Sequence, residues 1–220
     1  MNIGGYDKMR LILIRHGASL HQVQGIIAGG SSCPGLTDEG FKQARLLAKR
    51  LNTLPEIANC HTLLSSPVLR AYQTAEVLEN RLGINPIITD GDLTEIRTGA
   101  AEGLTSEAYR SQYGEFDLPA DPSRPFAPGG ENWLQFIGRI QTTLNRLADT
   151  YNGQTVLAVT HAGFIVASMM VLFDMAQMGK RAWLNPRNTS LTQWQYAAGV
   201  WTLETYNDTA HLESVDKDSK

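Results

Sequence analysis

Two histidines in this chain stand in similar short motifs, Arg15-His16-Gly17 and His161-Ala162-Gly163, each directly after a run of apolar residues. Two more such runs lead, within a few residues, to Arg70 and to Glu95. The set suits phosphoryl transfer through a covalent phosphohistidine. A neutral imidazole is a competent nucleophile near pH 7, its reference pKa being about 6.5. Transfer spreads charge over equatorial phosphoryl oxygens, which want fixed cations and donors. Arg15 and Arg70 supply guanidinium forks and His161 a third donor. The leaving alkoxide needs a proton, which Glu95 can give if burial or a neighbour raises its pKa. The same carboxylate would then deprotonate the water that hydrolyses the intermediate. Gly17 and Gly163 would let the backbone pass close to the phosphate.

Singly, each residue is weak. A histidine at a strand end is more often structural than catalytic, an arginine in a first helical turn is more often a surface charge, and a lone loop glutamate says almost nothing. The repetition carries the weight, because every strand end supplies a residue useful to one kind of reaction.

The elements that must position these residues follow from periodicity. Residues 10–14 (RLILI) form a continuous apolar run, as in a strand buried on both faces. Thr37 caps a helix over 38–52, with Phe41, Ala44, Ala48 and Leu51 inward and Lys42, Arg45 and Lys49 outward. Residues 61–65 are a second strand, Ser66-Pro67 offers an N-cap and an N1 proline, and the next helix stops at Gly83. Residues 84–89 read as a third strand. Between 99 and 130 the rhythm breaks: four of the nine prolines (Pro119, Pro122, Pro125, Pro128) fall there among Tyr109, Tyr113, Phe116 and Phe126. So long a loop is usually functional. A helix resumes from Glu131, residues 155–160 are a buried strand, and an apolar helix starts at Gly163. Residues 191–196 and 200–206 form a hairpin, and the polar tail 208–220 is expected to fray. Strands alternating with helices imply an α/β sandwich whose sheet is largely parallel, with ligands beyond the strands' carboxyl ends.

Composition bounds the class. The 220 residues are 42% hydrophobic and 19% charged, and 19 Lys+Arg against 22 Asp+Glu leave a net charge of −3. That argues against disorder and against a nucleic-acid binder, which would show a basic excess. Cys33 and Cys60 are the only cysteines, read as free thiols in a reducing compartment. There is no signal-peptide h-region, and the longest apolar stretch, 164–173, is too short to span a bilayer. A cytoplasmic protein is expected, with no membrane partner. Met9 is an alternative start.

In order along the chain, LIRHGAS (13–19), LTDEGFKQA (36–44), SSPVLRAYQTA (65–75), LTEIRTGAAEGLT (93–105), PGGENW (128–133) and VTHAGFI (159–165) resemble the histidine phosphatase superfamily, in its phosphoglycerate mutase-like branch. The resemblance covers about 150 residues. It implies a three-layer α/β/α sandwich with a mostly parallel mixed sheet, and one domain over 1–220 with a cap insertion at 99–130. It implies His16 as the phosphorylated nucleophile, Arg15, Arg70 and His161 as the rest of the phosphate pocket, and Glu95 as proton donor. The reaction would need neither metal nor cofactor. Gln22 and Ser19 are carried over as phosphate contacts.

The departures bear on substrate. Members often have Glu or Gln where this chain has Ala18, and Asn where it has Gln22. Mutases usually read E-R-H-Y-G where this chain has Glu95-Ile96-Arg97-Thr98-Gly99, and carry adjacent arginines that are missing here. These differences favour a phosphatase acting on a small phosphate monoester over a mutase. A non-catalytic phosphate-binding adaptor is the third reading, and a homodimer is left open. Arg97, Arg110 and Arg124 are candidates for a second anionic group. His21, His61 and His211 read as surface or structural residues, Glu102 and Gly103 as a structural turn, and Asn188-Thr189-Ser190 as a loop. No spacing supports a metal site.

Overall fold

The computed structural model describes residues 8–116, 121–175 and 182–213. In chain order the elements are β1 (Met9–Arg15), α1 (Leu20–Gln24), α2 (Asp38–Leu51), β2 (Thr62–Ser65), α3 (Leu69–Leu82), β3 (Ile87–Thr89), α4 (Ser106–Tyr113), α5 (Trp133–Thr150), β4 (Thr155–Thr160), α6 (Ala162–Leu172), β5 (Leu191–Ala197), β6 (Val200–Asp208) and α7 (Ala210–Glu213). Six strands make one sheet in the order β3-β2-β4-β1-β5-β6. The first four run parallel, while β5 and β6 are antiparallel additions at one side. The mixed, mostly parallel α/β sheet is therefore as expected.

Successive β1 residues serve opposite faces, as strand geometry requires. Met9, Leu11 and Leu13 pack with Phe136, Ile140 and Leu144 of α5 and Phe164 of α6. Ile12 and Ile14 pack on the other side with Leu47 and Leu51 of α2 and Ala71, Ala75 and Leu78 of α3. Helices on both faces complete three layers. Thr37 caps α2 by accepting from the Gly40 N–H, and Gly83 ends α3 in the left-handed region (φ 70°).

Register delivers the site. Arg15 pairs with Thr160 and Ile14 with Val159, so His16 and His161 leave the sheet side by side. Ser65 pairs with Val159 from the other flank, which puts Ser66 beside them.

Several local expectations are corrected. Helix α3 starts at Leu69, not at Pro67, because Ser66 continues the ladder (its N–H donates to Val159 O at 2.9 Å), while its hydroxyl accepts the Val68 N–H (3.3 Å) and serves His161. Strand β3 begins only at Ile87, since Pro86 has no N–H for a ladder. The 99–130 region is not plain loop: it holds α4, capped by Thr105, and a small core of Ala101, Tyr109 and Ala127 with Phe116 and Phe126 around it. Pro119 lies outside the described residues. The start of the tail is ordered too, because Asp208 pairs with Arg50 and accepts the N–H of Ala210 (3.0 Å), while His211 is buried. Residues 214–220 are outside the described range. Cys33 and Cys60 are both free and buried. Among the described residues, no helix is long and apolar enough to cross a membrane.

Candidate active site at the strand ends

His16 is 3% exposed. Its Nδ1 lies 2.7 Å from the carbonyl oxygen of Gly17. A carbonyl only accepts, so Nδ1 carries the ring proton and Nε2 the lone pair. That lone pair accepts from Arg70 Nε at 3.1 Å. Burial, then the charge of Arg70, holds the His16 pKa well below 6.5 despite the Gly17 carbonyl, so the ring is neutral near pH 7. The backbone is pinned from both sides. His16 N–H donates to Thr160 O, Gly17 N–H to Thr74 Oγ1, and Asn188 Nδ2 to His16 O at 3.0 Å.

His161 is fully buried. The Arg70 guanidinium, which only donates, sits 3.1 Å from Nδ1. Nδ1 is therefore the acceptor, and Nε2–H donates to Ser66 Oγ at 2.9 Å. Burial, followed by Arg70, keeps this ring neutral as well. A donor role toward an anion would require a proton on Nδ1, which a nearby negative charge would favour. Arg70 links both histidines and also donates to Ala28 O (3.1 Å) and Cys33 Sγ (3.4 Å), which ties the loop after α1 into the site.

Arg15, at the end of β1, donates from NH1 to Pro186 O. Its Nε is buried with no partner among the described residues, which leaves a donor for an anion. Burial lowers its pKa, Glu95 opposes that and Arg70 adds to it.

Glu95 approaches from the far side of the sheet edge. Its Oε2 accepts the N–H of Gly163 (2.9 Å) in the first turn of α6, and Oε1 that of Ile96 (3.1 Å). A Cβ at position 163 would lie 1.9 Å from Oε1. Gly163 is thus required by the Glu95 carboxylate, and Gly17 by the Gly40 carbonyl, which a Cβ would meet at 2.7 Å. Both glycines had been expected to make room for phosphate. The loop carrying Glu95 is held by Arg139 of α5, which donates to the carbonyls of Asp92 (2.6 Å), Thr94 (3.1 Å) and Glu95 (3.2 Å). Arg139 also forms a bidentate pair with Glu131 (2.8 and 2.7 Å), the two side chains being 9% and 11% exposed.

The structure therefore brings His16, Arg15, Arg70, His161 and Glu95 to one edge. Ser19 and Gln22 stand beside them but differently from the expectation. Ser19 is fully buried, and its hydroxyl is engaged with Gln22 Oε1 (3.1 Å) and His21 Nδ1 (2.7 Å). His21, expected to be structural, lies with its ring centroid 6.1 Å from that of His16. Sequence reasoning missed it because nothing in its spacing separates it from any helical surface residue. Asn188, Ser66 and Arg139 were missed too. A single signal pointed to Asn188 and Ser66: each sits just outside a strand end.

The cap candidates divide. Arg124 donates to the backbone of Tyr113 and Glu115, and Arg110 faces Glu115 at 3.8 Å, so both serve the internal packing of the 99–130 region. Arg97, its side chain 56% exposed, is only loosely paired with Glu131 at 3.9 Å. Glu102 accepts the N–H groups of Ser31 and Ser32 (2.6 Å each) and so holds the loop after α1, a structural task as expected.

Comparison with known proteins places this site in context. The family model for the histidine phosphatase superfamily (branch 1) matches residues 11–209. The chain is 29% identical to phosphoglycerate mutase-like protein 4 of Arabidopsis thaliana, across 94% of this chain and 88% of that one. Among solved structures, Bacillus stearothermophilus YhfR superposes with TM-score 0.78 at 27% identity, covering 93% of this chain and 99% of YhfR. A phosphoserine phosphatase from Entamoeba histolytica, in complex with phosphoserine, gives TM-score 0.73 at 26% identity, with 93% and 99% covered.

Proposed function

The chain belongs to branch 1 of the histidine phosphatase superfamily, and from that premise we propose that it is a phosphatase that hydrolyses a small phosphate monoester through a phosphohistidine on His16, without a metal. One observation carries the reading. His16 presents an unprotonated Nε2 at neutral pH in a pocket whose guanidinium, Arg70, touches that nitrogen.

In the first step the Nε2 lone pair attacks phosphorus and the ester P–O bond breaks. Glu95, as the acid, gives its proton to the departing alkoxide, which leaves as the alcohol. Arg15 and Arg70 take the growing charge on the phosphoryl oxygens, and removal of one such donor typically costs on the order of 10²–10³ in rate. In the second step the Glu95 carboxylate takes a proton from water as its oxygen attacks phosphorus. The N–P bond breaks, inorganic phosphate leaves, and both side chains return to their starting states.

The test is hydrolysis of a panel of phosphate monoesters by wild type and His16→Ala, with rapid quench into alkaline denaturant and mass spectrometry for phosphohistidine, whose N–P bond is acid-labile. We expect activity on at least one ester, a trapped adduct on His16, and loss of both in the variant. A wild type inactive on every ester, or an undiminished His16→Ala rate, would overturn the reading. Labelled phosphate recovered in an isomerised product rather than as free phosphate would make the enzyme a mutase.

A further inference from the structure

The two side chains that the family resemblance assigned to phosphate, Ser19 and Gln22, are bonded to each other through the Ser19 hydroxyl and Gln22 Oε1. Gln22 Oε1 accepts from the Ser19 N–H (3.2 Å), the Ser19 hydroxyl (3.1 Å) and Asn188 Nδ2 (3.4 Å). Three donors on one atom identify it as the carbonyl oxygen, and the single Ser19 hydroxyl proton is directed to it. His21 Nδ1 stands 2.7 Å from the same Ser19 oxygen. Both Ser19 contacts are hydrogen bonds at once only if His21 donates, and in that tautomer Nδ1 carries the hydrogen and Nε2 a lone pair.

This makes His21 different from its two neighbours. His161 has both nitrogens bonded, one to Arg70 and one to Ser66. The Nε2 of His16 is the proposed nucleophile. His21 Nε2 is bonded by no group among the described residues, and its half-buried ring packs within 6.1 Å of the His16 ring. The ionisable groups that face it are Arg15 and His16 from the end of β1, Arg70 from α3 and His161 from the start of α6. No carboxylate acts on it from these elements.

We propose that His21 is a substrate-contacting residue: a phosphate monoester entering as its monoanion passes the P–OH proton to His21 Nε2, and the imidazolium then donates a hydrogen bond to the resulting dianion. The inference rests on the reading that this pocket takes a phosphoryl group. Burial and then the charges of Arg70 and Arg15 hold His21 at about 4, so the ring meets its ligand neutral. A phosphoryl dianion reverses the sign of the local field and favours the charged ring. Phosphate monoesters lose their second proton near pH 6, so the monoanion is available under mildly acidic to neutral conditions. Ser19 and Gln22 become positioning residues that fix the tautomer through which His21 accepts that proton.

The experiment measures inhibition of p-nitrophenyl phosphate hydrolysis by inorganic phosphate between pH 5 and 8, in wild type, His21→Gln and His21→Ala. Loss of a charge-assisted hydrogen bond weakens phosphate binding by about ten- to hundredfold at pH 5.5, with a smaller difference at pH 8. Wild-type affinity also falls more steeply with pH, because one more proton accompanies each phosphate bound. A purely structural role does not change that slope. Should the variants unfold, imidazole ¹⁵N spectra of wild type decide: at pH 6, saturating phosphate converts His21 Nε2 from a lone-pair nitrogen to an N–H. Equal inhibition constants and slopes in all three proteins, or an unchanged His21 signal, overturn the assignment while His16 chemistry stands. A wild type that neither hydrolyses the ester nor binds phosphate removes the phosphatase reading, and this inference falls with it.

Discussion

The Glu95 carboxylate rests on the first turn of α6, with its Oε2 2.9 Å from the N–H of Gly163 and its Oε1 in the space where any side chain at 163 would begin. Position 163 therefore controls where the proposed acid stands. The helix itself would accept alanine there, which is a better helix former than glycine by about 1 kcal/mol. We expect Gly163→Ala to keep its stability within about 1 kcal/mol of wild type while hydrolysis of alkyl phosphates falls by about tenfold or more. Loss of p-nitrophenyl phosphate hydrolysis should be smaller, because that leaving group needs little protonation. Equal losses on both substrates would show that Glu95 is not the acid.

Arg139 and Glu131 form a buried pair that also holds the carbonyls of Asp92, Thr94 and Glu95. Arg139→Met leaves the Glu131 carboxylate buried without its partner, and the expected cost is about 3–5 kcal/mol. Arg139→Met with Glu131→Gln should recover part of it, because no charge is stranded. Burial pushes the Glu131 pKa up, but Arg139 and the N–H of Arg97 outweigh it and leave the value below 4.5. This contribution is present above the unfolded-state value of 4.5 and is lost as pH falls through the lower folded one. Urea titrations of the single and double variants at pH 7 and pH 4 measure both effects.

Stability should also decline from pH 7 toward pH 5. Burial, with Arg70 second, depresses His16 and His161 far below 6.5, so the unfolded chain binds protons there that the native state does not. Stability then rises with pH up to about 6.5 and flattens above. Each such histidine contributes a slope of up to about 1.4 kcal/mol per pH unit. Denaturant unfolding at pH 5, 6 and 7 reads the slope, and His161→Asn should lower it by roughly one histidine's share. A flat profile over that range would falsify the buried neutral state of these rings.

Ser66 accepts the Nε2–H of His161 at 2.9 Å in a fully buried setting. Ser66→Ala strands that donor, and the expected loss is about 1–3 kcal/mol. The ring is then free to move its proton to Nδ1, which would break the acceptor contact with Arg70. Imidazole ¹⁵N shifts in the variant should report this change of tautomer, with a rate loss of about tenfold expected alongside it. An unchanged tautomer would mean that Arg70 alone sets it.

Elements with strong periodicity or end signals were readable in the chain: the apolar runs of β1 and β4, the Thr37 cap of α2, the Gly83 stop of α3. Helix α4 was not, because its one buried residue, Tyr109, faces a small separate core rather than the sheet. The start of α3 was misread because Ser66, a plausible cap by type, continues a strand ladder, so the helix begins beyond it although its hydroxyl still accepts the Val68 N–H besides serving His161. Within the site, His16, Arg15, Arg70, His161 and Glu95 could be named in advance because each lies at or just after a strand end, and strand ends in a parallel sheet share one edge.

By itself the sequence determined the class of sheet, the edge at which chemistry gathers and the five residue types gathered there. These depend on local patterning and on the order of elements along the chain. The tertiary structure decided which atom of each residue is available. His16 Nε2 carries a lone pair, met by Arg70 Nε, because Gly17 O takes the ring proton on Nδ1, His161 Nδ1 is an acceptor because Arg70 faces it, and Ser19 is closed where His21 is open. Arg70 reaches His161 from far along the chain, and even the contacts between near neighbours, His16 with Gly17 and Ser19 with His21, depend on side-chain direction. A proton on a ring nitrogen is placed by what stands within 3 Å of it, and residue spacing does not carry that information.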